Sequence, residues 1–489
     1  MQKIKIKREP ALTTKHAAFD YQREAVDLIR DLPYAAVFHE QGLGKTKIAI
    51  DILLYWLKHK IVDSVIVVTK KGLVNNWKRE FRGHTSIRPK ILSQDRGNNT
   101  SAFSSPARVY LTHYEAIKLE ADRLVAFSRV RTLAIVLDEA QKIKNPESQL
   151  TESFFRLSPY FERKLILTGS PIANRPYDIW AQIFFLDQGE SLGIDFKNFK
   201  AQLDLPDSHN QKQTEKFERK LVEIFPSIKK FAVRETKNGG RIELPDKEFK
   251  NIACDWEENQ RRLYEGVRDE LKITILKDGV LTEDVSEEIL KRLLRLVQIA
   301  SNPGILDKSY ESIPGKYNAL LSIIEQVVAN NEKAIIWSSF TANVDWLTRK
   351  LSKYNTVSYH GKMDDTQRNR SIDSFLERAN NRLLVATPAS AKEGFTLTVA
   401  NHAIFYDRSF SLDDYIQAQD RIHRISQEKT CYVYNLIMKD SIDEWIDDLL
   451  EMKWVAAKLG QGDLTLEEFR QTINYDLKDA LKEILNIRS

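Results

Sequence analysis

YAAVFHEQGLGKTKIAIDILLYWL, residues 34–57, is the segment that decides the fold. It begins with a short apolar run, passes through the turn HEQGLGKT at 39–46, and continues as a helical pattern of apolar residues. A strand, a glycine-rich turn and a helix in this order are typical of a phosphate-binding loop in an α/β domain. Position 39 is His, where such loops usually carry their first glycine.

The residue types in this turn predict how it would bind phosphate. Glycine lets the main chain approach closely, and the backbone N–H groups that open the following helix favour an anion. Lys45 can reach the β- and γ-phosphates of a nucleotide, and the Thr46 hydroxyl can coordinate Mg²⁺. A Gly-Lys-Thr triplet alone is a weak signal, but the strand before it and the helix after it supply the required context. We therefore predict a nucleotide site that includes Gly42, Leu43, Gly44, Lys45 and Thr46.

A second segment, LAIVLDEAQKIKN at 133–145, places two acids directly after an apolar run. Ligand chemistry in parallel α/β sheets lies at the carboxyl ends of the strands, which is where these acids fall. Asp138 would bind Mg²⁺, directly or through water, and Glu139 would orient and deprotonate an attacking water. An acidic pair at a strand end can also be a helix cap, and the upstream phosphate loop is what favours the catalytic interpretation.

Short apolar runs recur in two sets, each run followed by a turn and a helical pattern, which predicts α/β units with parallel strands. The first set consists of YAAVF (34–38), SVIVVT (64–69), ARVYLT (107–112), LAIVL (133–137) and KLILT (164–168). The second set consists of AIIWSS (334–339), TVSYH (356–360), LLVAT (383–387), HAIFY (402–406) and CYVYNLI (431–437). Two such sets predict two α/β lobes.

The stretch between the sets, roughly 186–312, is charged and helical in pattern, and the chain after 440 reads as helix to its end. We place the lobe boundary inside this stretch, near 240. The predicted organisation is therefore lobe one at 1–240, lobe two at 241–440 and a helical C-terminal extension at 441–489.

In the second set, QAQDRIHRI at 417–425 presents Arg421 and Arg424 three residues apart, which predicts one shared helix face. Two guanidinium groups presented together can stabilise charge on a transferring phosphoryl group. A solvated basic helix with Asp420 as ion-pair partner is the alternative. The position of the arginines in the second lobe favours the catalytic interpretation, in which closure of the lobes completes the site.

Length and composition limit the remaining possibilities. A chain of 489 residues exceeds the size at which one hydrophobic core stops growing, so two or three domains are expected. Cys254 and Cys431 form no CxxC or Cys/His pattern, which argues against a disulfide framework and a zinc site and for a reducing compartment. The apolar run at 48–57 is short and contains Asp51, and the basic start lacks an apolar stretch, so no membrane span or signal peptide is expected.

Charge gives a weaker indication of the partner. The net charge of +5 does not by itself indicate a polyanion. Residues 212–241 hold nine basic residues against four acids, which is a candidate basic stripe. The same pattern fits a solvated helix face, and this segment alone favours that interpretation.

Together these segments resemble the Swi/Snf family of superfamily-two helicase-like ATPases, over nearly the whole chain and in the family's motif order. Further segments that carry the resemblance are FDYQ (19–22), VIVVTKKGLVNNWKREF (65–81), YLTHYEA (110–116), LTGSPIAN (167–174), FAVRETK (231–237), RLVQIASNP (295–303), AIIWSSF (334–340), YHGKM (359–363) and ATPASAKEGFTLTVANHAIFYD (386–407). The resemblance implies two tandem RecA-like lobes, helical protrusions at about 186–231 and 256–312, and a helical brace at 441–489.

The resemblance also implies ATP and Mg²⁺ as cofactors and double-stranded DNA, in preference to RNA, as partner. Gln22 would read adenine, and Gly394 would belong to the cofactor site. The residues implied to lie near the nucleic-acid track are Lys70, Lys71, Trp77, Thr112, His360, Gly361, Thr387 and Lys392. Contacts to the phosphate backbone would suit movement over any sequence. The implied protein is a monomeric, ATP-dependent DNA translocase in the cytoplasm of a bacterial or phage-infected cell, or in the nucleus only if the source is eukaryotic.

Three positions depart from the family pattern. Gln141 stands where His is usual, Ala173 stands where Gln is usual, and ASAKEG at 389–394 lacks the usual glycine pair. These departures indicate a distant, fork-remodelling or prokaryotic branch and affect coupling, not the reaction class. A DNA or RNA helicase that separates or anneals strands, and a nucleotide-gated DNA-sensing subunit, are the alternatives. Retention of Lys45, Glu139 and the arginine pair favours a motor.

Overall fold

The structure, a computed structural model, describes residues 6, 9–172, 174–204, 211–237, 239, 241, 243–278, 287–391, 396–473 and 477–485, with side chains described except at 273–278, 287–291, 365, 391 and 477–479. The chain divides into two compact units. Unit 1 comprises Met1–Glu243 and Ala456–Phe469, and unit 2 comprises Leu244–Val455 and Arg470–Ser489. The division after Glu243 lies close to the predicted boundary near 240, whereas the predicted extension 441–489 is shared between the two units.

Unit 1 contains a seven-stranded sheet in which the paired strands run parallel. Its strands are β1 (Tyr34–Val37), β2 (Ser64–Thr69), β3 (Lys90–Ile91), β4 (Val109–His113), β5 (Leu133–Asp138), β6 (Arg163–Leu167) and β7 (Ala232–Val233). They lie in the order β3-β4-β2-β5-β6-β1-β7. The carboxyl ends of the strands therefore share one edge of the sheet, and β5 lies between β2 and β6.

Helices cover both faces of this sheet, because β2, β4 and β5 are buried along their whole length and offer apolar side chains on either side. The α-helices in this part of the chain are α1 (Asp20–Ile29), α2 (Lys45–Lys58), α3 (Val74–His84), α4 (Arg96–Ser104), α5 (Tyr114–Ser128), α6 (Gln149–Leu157), α7 (Trp180–Asp187), α8 (Phe196–Ala201) and α9 (Gln211–Ile228). Short 3-10 helices occur at Lys71–Leu73, Ala140–Ile143, Ser158–Tyr160 and Pro176–Ile179.

Unit 2 is built on the same principle, with a six-stranded sheet of parallel pairs. Its strands are β8 (Lys247–Cys254), β9 (Ala334–Trp337), β10 (Val357–Tyr359), β11 (Leu383–Ala386), β12 (His402–Phe405) and β13 (Cys431–Met438). They lie in the order β10-β11-β9-β12-β13-β8. The core of unit 2 forms where the buried strands pack against side chains such as Phe375 and Ile422.

The helices of the second half follow the same alternation. They are α10 (Glu258–Asp278), α11 (Glu287–Ser301), α12 (Gly315–Ala329), α13 (Thr341–Lys350), α14 (Asp365–Glu377), α15 (Pro388–Ala391), α16 (Leu412–Gln419), α17 (Ile442–Gly460), α18 (Leu466–Thr472) and α19 (Leu477–Ile484), with 3-10 helices at Pro303–Ile305 and Ser352–Tyr354. Across the described helices, none combines the length and apolarity needed to cross a bilayer.

The predicted fold class is confirmed, and each of the ten predicted strands is present. Three strands, β3, β7 and β8, were not predicted from the sequence. β3 and β7 have two residues each, too few to form an apolar run. β8 is the edge strand beside β13, so most of its side chains are exposed or half-buried and its sequence, KEFKNIAC, lacks the continuous apolar run of a central strand.

A buried ion pair joins two helices of unit 2. The Lys316 ammonium on α12 lies 2.6 Å from a carboxylate oxygen of Asp443 on α17, and the two side chains are 0% and 4% exposed. The same ammonium donates to the Tyr406 carbonyl at 3.0 Å. Asp443 also accepts a hydrogen bond from the Met438 N–H at 3.0 Å, at the end of β13. The pair is therefore satisfied on both sides, and removal of one partner would leave a buried, uncompensated charge.

We expect Lys316→Met to lower the free energy of unfolding by about 3–5 kcal/mol, since breaking a buried pair strands its partner. The matched control is Lys439→Met, which removes another Lys–Asp pair of 2.6 Å, to Asp255, whose side chains are 52% and 86% exposed. Because water screens this exposed pair, Lys439→Met should leave the free energy of unfolding nearly unchanged. Urea denaturation followed by circular dichroism measures both. Equal destabilisation by the two variants would contradict this account of the Lys316 pair.

Candidate active site

The predicted phosphate loop lies between β1 and α2, at the carboxyl edge of the unit 1 sheet. Gly42 and Gly44 have φ angles of 89° and 70°, the left-handed region that favours glycine. Lys45 is the first residue of α2, and its side-chain ammonium donates to the carbonyls of His39 at 2.9 Å and Glu40 at 3.1 Å. The loop therefore gathers the Lys45 cation and the N-terminus of a helix, two groups that attract phosphate.

Gln22 lies directly against this loop. Its side-chain amide donates to the Leu43 carbonyl at 3.3 Å and to the Tyr21 hydroxyl at 3.2 Å, while its carbonyl oxygen accepts from the Phe19 N–H at 3.1 Å. A Cβ atom added to Gly44 would lie only 2.2 Å from the Gln22 amide nitrogen. Glycine at position 44 is thus required by this close approach as well as by its φ angle.

His39 occupies the position where the usual first glycine is missing. It is 2% exposed, and its ring centroid lies 6.0 Å from that of Tyr21. Burial, and then the nearby charge of Lys45, lower the pKa of His39 to about 3. The imidazole is therefore neutral near pH 7, and it fills space beside the loop without adding charge to it.

Asp138 is the last residue of β5 and is buried at the same edge. Its Oδ2 atom accepts hydrogen bonds from the Thr69 hydroxyl at 2.8 Å and the Trp77 indole N–H at 2.7 Å. Burial, and then the charge of Glu139, raise the pKa of Asp138. Both of these bonds go to Oδ2, so the arrangement fits a ligand that approaches Oδ1. A cation such as Mg²⁺ is suited to that place, because it would favour the charged carboxylate against the cost of burial.

Glu139 follows with an unusual backbone conformation. Its φ and ψ angles are 57° and 50°, in the left-handed region that non-glycine residues rarely adopt. Its Oε2 atom accepts a hydrogen bond from the Lys70 ammonium at 3.4 Å and another from the Gln141 side-chain amide. Gln141, at the position where the family usually has His, is thus a direct neighbour of the predicted catalytic acid. A sharp backbone turn after β5 directs the two acids to different partners.

The segment that follows β6 packs against the phosphate loop. Gly169 follows the buried Thr168, and a Cβ atom added to it would lie 2.9 Å from Cγ of Gln41. This close packing brings the TGS segment against the phosphate loop. The role of Gln41 as the packing partner of Gly169 could not be predicted from the sequence, because the two residues are 128 positions apart.

A contact distant in sequence holds the first part of the loop. Arg234, just after β7, donates to the Phe38 carbonyl at 2.6 Å and forms an ion pair with Asp463, whose Oδ1 lies 2.6 Å from Nε. The Lys237 N–H donates to the Glu40 carboxylate at 2.9 Å. No local sequence pattern could have predicted Asp463, because it lies in the C-terminal segment of unit 1, which pairs with Arg234 only in the folded chain.

The predicted shared helix face of the two arginines is wrong. α16 ends at Gln419, and Arg421 and Arg424 lie in the turns that follow it. Arg424 donates to the Asp420 carbonyl at 2.9 Å and to the Thr396 hydroxyl at 2.8 Å. After α16 the backbone continues as turns, in which the Arg421 N–H donates to the Ala418 carbonyl and the Ile422 N–H to the Gln419 carbonyl, so the helix ends earlier than spacing alone would indicate.

Two residues predicted to contact nucleic acid are buried in unit 1. Trp77 is 1% exposed and donates to Asp138, and the buried Thr112 donates its hydroxyl to the Leu92 carbonyl at 2.9 Å. Burial argues against direct nucleic-acid contact through these two side chains, and we assign Trp77 to the positioning of Asp138 instead. Lys71, the first residue of the 3-10 helix after β2, is exposed.

In unit 2 the predicted nucleic-acid residues also differ in exposure. His360 is 7% exposed, with Nε2 3.1 Å from a carboxylate oxygen of Asp345, and Thr387 donates its hydroxyl to Ser390 at 2.9 Å. Gly361 is exposed. The predicted residues Lys392 and Gly394, and the departure at Ala173, lie outside the described residues.

The phosphate loop and the acidic pair share one edge of unit 1, and the chain carries a second parallel α/β unit, so its class is that of the helicase-type ATPases. Comparison with protein-family models identifies the family within this class. A model described as SNF2-related domain matches residues 21–305, and one described as helicase conserved C-terminal domain matches residues 315–426. The chain therefore belongs to the SNF2-related family, as the sequence predicted.

Similar proteins include bacterial and eukaryotic examples. An uncharacterized ATP-dependent helicase of Mycoplasma genitalium is 30% identical over 453 residues, which cover 90% of this chain and 42% of that protein. The chromatin structure-remodeling complex subunit snf21 of Schizosaccharomyces pombe is 25% identical, over 83% of this chain and 36% of that protein. This chain thus spans less than half of the length of either relative.

Among solved structures, the SWI2/SNF2 ATPase core of Sulfolobus solfataricus in complex with double-stranded DNA is similar to this chain. The sequence identity is 26%, the match covers 96% of this chain and 99% of that one, and the TM-score is 0.43.

The Trp77 hydrogen bond to Asp138 can be tested with a conservative substitution. Trp77→Phe keeps an aromatic ring beside Phe81, whose ring centroid lies 5.8 Å away, but removes the indole N–H. We expect the turnover number for ATP to fall about ten- to hundredfold, since hydrogen bonds to charged groups contribute about 1.5–3 kcal/mol.

The control is Trp56→Phe. Trp56 is equally buried, at 1% exposure, and donates over the same 2.7 Å to the Arg30 carbonyl, away from the acidic pair. Steady-state hydrolysis and thermal melting of both variants give the comparison. Comparable losses of turnover in the two proteins would show that general destabilisation, and not Asp138, explains the effect.

Proposed function

We propose that this protein hydrolyses ATP with Mg²⁺ and uses the energy to move along double-stranded DNA, remodelling DNA or protein–DNA complexes. The observation that carries the proposal is the position of the Lys45 loop and of the Asp138–Glu139 pair at one edge of the same parallel sheet. For hydrolysis to occur, a phosphate-binding group and an acid that can activate water must both lie next to the transferring phosphoryl group.

In this proposal Lys45 neutralises charge on the β- and γ-phosphates, and Gly42, Leu43 and Gly44 supply backbone N–H groups. Gln22, held beside the loop by its bonds to Leu43 and Tyr21, recognises adenine. Thr46 and Asp138 would hold Mg²⁺, which when bound would supply positive charge next to the transferring phosphoryl group. The donor set fits the ion, since both residues offer the oxygen ligands that Mg²⁺ prefers.

Glu139 is the proposed general base. Its carboxylate would orient the attacking water and accept a proton from it as the bond to phosphorus forms. The left-handed backbone at Glu139 supports this role, because strained conformations persist where the surrounding structure fixes a functional side chain. Adjacent Asp138 is committed to Thr69, Trp77 and the metal, which leaves proton transfer to Glu139.

We also propose that Arg421 and Arg424 stabilise charge on the transferring phosphoryl group. This assignment is supported by the guanidinium chemistry and by the resemblance of their segment to the family's motif. It does not depend on the helix face that was predicted and not found.

Double-stranded DNA is the proposed partner for two reasons. The relative snf21 is described as a chromatin structure-remodeling complex subunit, and chromatin contains duplex DNA. Lys70 and Lys71 are adjacent cations at the carboxyl end of β2, next to the strand that carries the acidic pair, where contact with a phosphate backbone could influence hydrolysis. The bacterial relative supports a cytoplasmic enzyme, which we propose to act as a monomer.

The test is ATP hydrolysis in the presence of duplex DNA, single-stranded DNA or RNA at one stated salt concentration. Duplex DNA should stimulate turnover most, and the stimulation should fall steeply as salt rises, because the contacts are to phosphates. Glu139→Gln is the inactive control, since it should bind ATP but hydrolyse it very slowly. Equal rates with and without DNA would favour a nucleotide-gated sensor, and displacement of a strand from a forked duplex would favour a strand-separating helicase.

A second measurement tests the arginines. Arg424→Ala should leave ATP binding largely intact while single-turnover hydrolysis falls by about 10³- to 10⁵-fold, the usual contribution of an arginine finger. Arg382→Ala is the control, because Arg382 also donates to a backbone carbonyl, that of Asn331 at 3.0 Å, but is assigned no catalytic role. A loss smaller than about tenfold in a folded Arg424→Ala protein would remove Arg424 from the mechanism.

A further inference from the structure

The end of β2 contacts both members of the acidic pair. Thr69, the last residue of β2, donates to Asp138 at 2.8 Å, and Lys70, the next residue, lies 3.4 Å from Oε2 of Glu139. These contacts follow from sheet order, because β2 and β5 are parallel neighbours, with Val68 paired with Leu137. One short segment therefore touches the proposed metal ligand and the proposed general base.

The Lys70 contact engages the carboxylate of the proposed general base. Oε2 of Glu139 accepts hydrogen bonds from both Lys70 and Gln141. Donors that bind a carboxylate in its charged form make it less ready to accept a proton from water. The ion pair is also sheltered, since its side chains are 19% and 11% exposed, so water screens it less than a surface pair.

Lys70 is nevertheless placed to change partners. It lies in an extended conformation between β2 and the 3-10 helix that begins at Lys71, and Lys71 is exposed to solvent. Lysine carries a point charge on a flexible stem, which can turn from one anion to another without a backbone movement. A phosphate group that docks on the exposed neighbour Lys71 would compete with Glu139 for the Lys70 ammonium.

We propose that Lys70 is a positioning residue that holds Glu139 in an unproductive arrangement until the phosphate backbone of duplex DNA draws the ammonium away. Binding of DNA then takes the ammonium away from Glu139, so that the carboxylate accepts a proton from water more readily and the same lysine links DNA contact with hydrolysis. This inference rests on the proposed function and adds to it the route by which DNA stimulates the enzyme. Two anions, the Glu139 carboxylate and a DNA phosphate, thus compete for one cation, the Lys70 ammonium.

A merely structural ion pair would behave differently. If the pair only stabilised unit 1, its removal would lower hydrolysis with and without DNA. If the pair restrains Glu139, its removal should raise hydrolysis in the absence of DNA, because the general base is released. The sign of the change therefore distinguishes the two roles.

The experiment measures steady-state ATP hydrolysis by the full chain, with and without duplex DNA, for wild type, Lys70→Met, Lys70→Arg and Lys142→Met. Lys70→Met should raise the DNA-free rate about three- to tenfold, the range that loss of a partly sheltered ion pair can produce, and should reduce the stimulation ratio at least as much. Lys70→Arg keeps the cation and should keep the low DNA-free rate. Thermal melting checks that each variant is folded.

Lys142→Met is the matched control. It removes another Lys–Glu pair of unit 1, in which the ammonium lies 3.2 Å from Oε1 of Glu115, and Lys142 is three residues from Glu139 without an ion pair to it. Its DNA-free rate should match wild type. A rise in Lys142→Met equal to that in Lys70→Met would overturn the inference.

Two further outcomes separate this inference from the proposed function. If wild type hydrolyses ATP with no response to duplex DNA, both are overturned. If wild type responds to DNA but a folded Lys70→Met protein keeps the wild-type DNA-free rate, or is slower under both conditions, the inference about Lys70 fails and the proposed function stands.

Discussion

The carboxylate of Asp138 is buried at the end of β5, and it accepts hydrogen bonds from the Trp77 indole and the Thr69 hydroxyl. Burial of a carboxylate costs free energy unless hydrogen-bond donors compensate it. The elements that supply these donors must therefore keep fixed positions around Asp138. Thr69 ends the neighbouring strand β2, and Trp77 lies on α3, the helix that follows it. The Tyr114 hydroxyl, on the helix after β4, donates to the Asp138 carbonyl at 2.8 Å. Two strand–helix connections of unit 1, β2–α3 and β4–α5, therefore converge on the residue that ends β5.

The phosphate loop depends on a comparable set of contacts near β6, β1 and β7, at the other end of the strand order. Gln22 and Gln41 pack so closely on Gly44 and Gly169 that a Cβ atom at either glycine would overlap them. Arg234 holds the start of the loop through the Phe38 carbonyl and is itself held by an acid from the C-terminal segment. A loop that must present N–H groups to phosphate cannot satisfy its own backbone fully, so its shape has to be maintained by neighbours. Residues outside the motif thus preorganise it.

The sequence was sufficient for features that depend on local pattern. Buried parallel strands require continuous apolar runs, and for this reason the strands that end at Asp138 and before His39 could be predicted together with the residues they deliver. Features that depend on partners distant in the chain could not be predicted. Trp77 reads as a candidate surface residue until β2 and β5 are known to be neighbours, and Asp463 carries no signal at all. The spacing of Arg421 and Arg424 suggested a helix because spacing does not register the hydrogen bonds that end α16 at Gln419.

The contacts of Thr69 and Lys70 with the acidic pair distinguish β2 from the other strands of unit 1. β1 leads into the nucleotide loop and β6 into a segment packed against it, whereas the end of β2 and the residue after it contact both acids, and the exposed Lys71 follows. An element that touches the proposed metal ligand, the proposed base and solvent can transmit a change at the surface over a few ångströms, without a long chain of intermediates. Thr69 and Lys70 are consecutive, but a shift of the Lys70 side chain that frees Glu139 leaves the Thr69 bond to Asp138 unchanged. The backbone of β2, fixed by its pairing with β4 and β5, limits such a shift to the side chains. The sheet therefore keeps the metal ligand in place while leaving the lysine able to move.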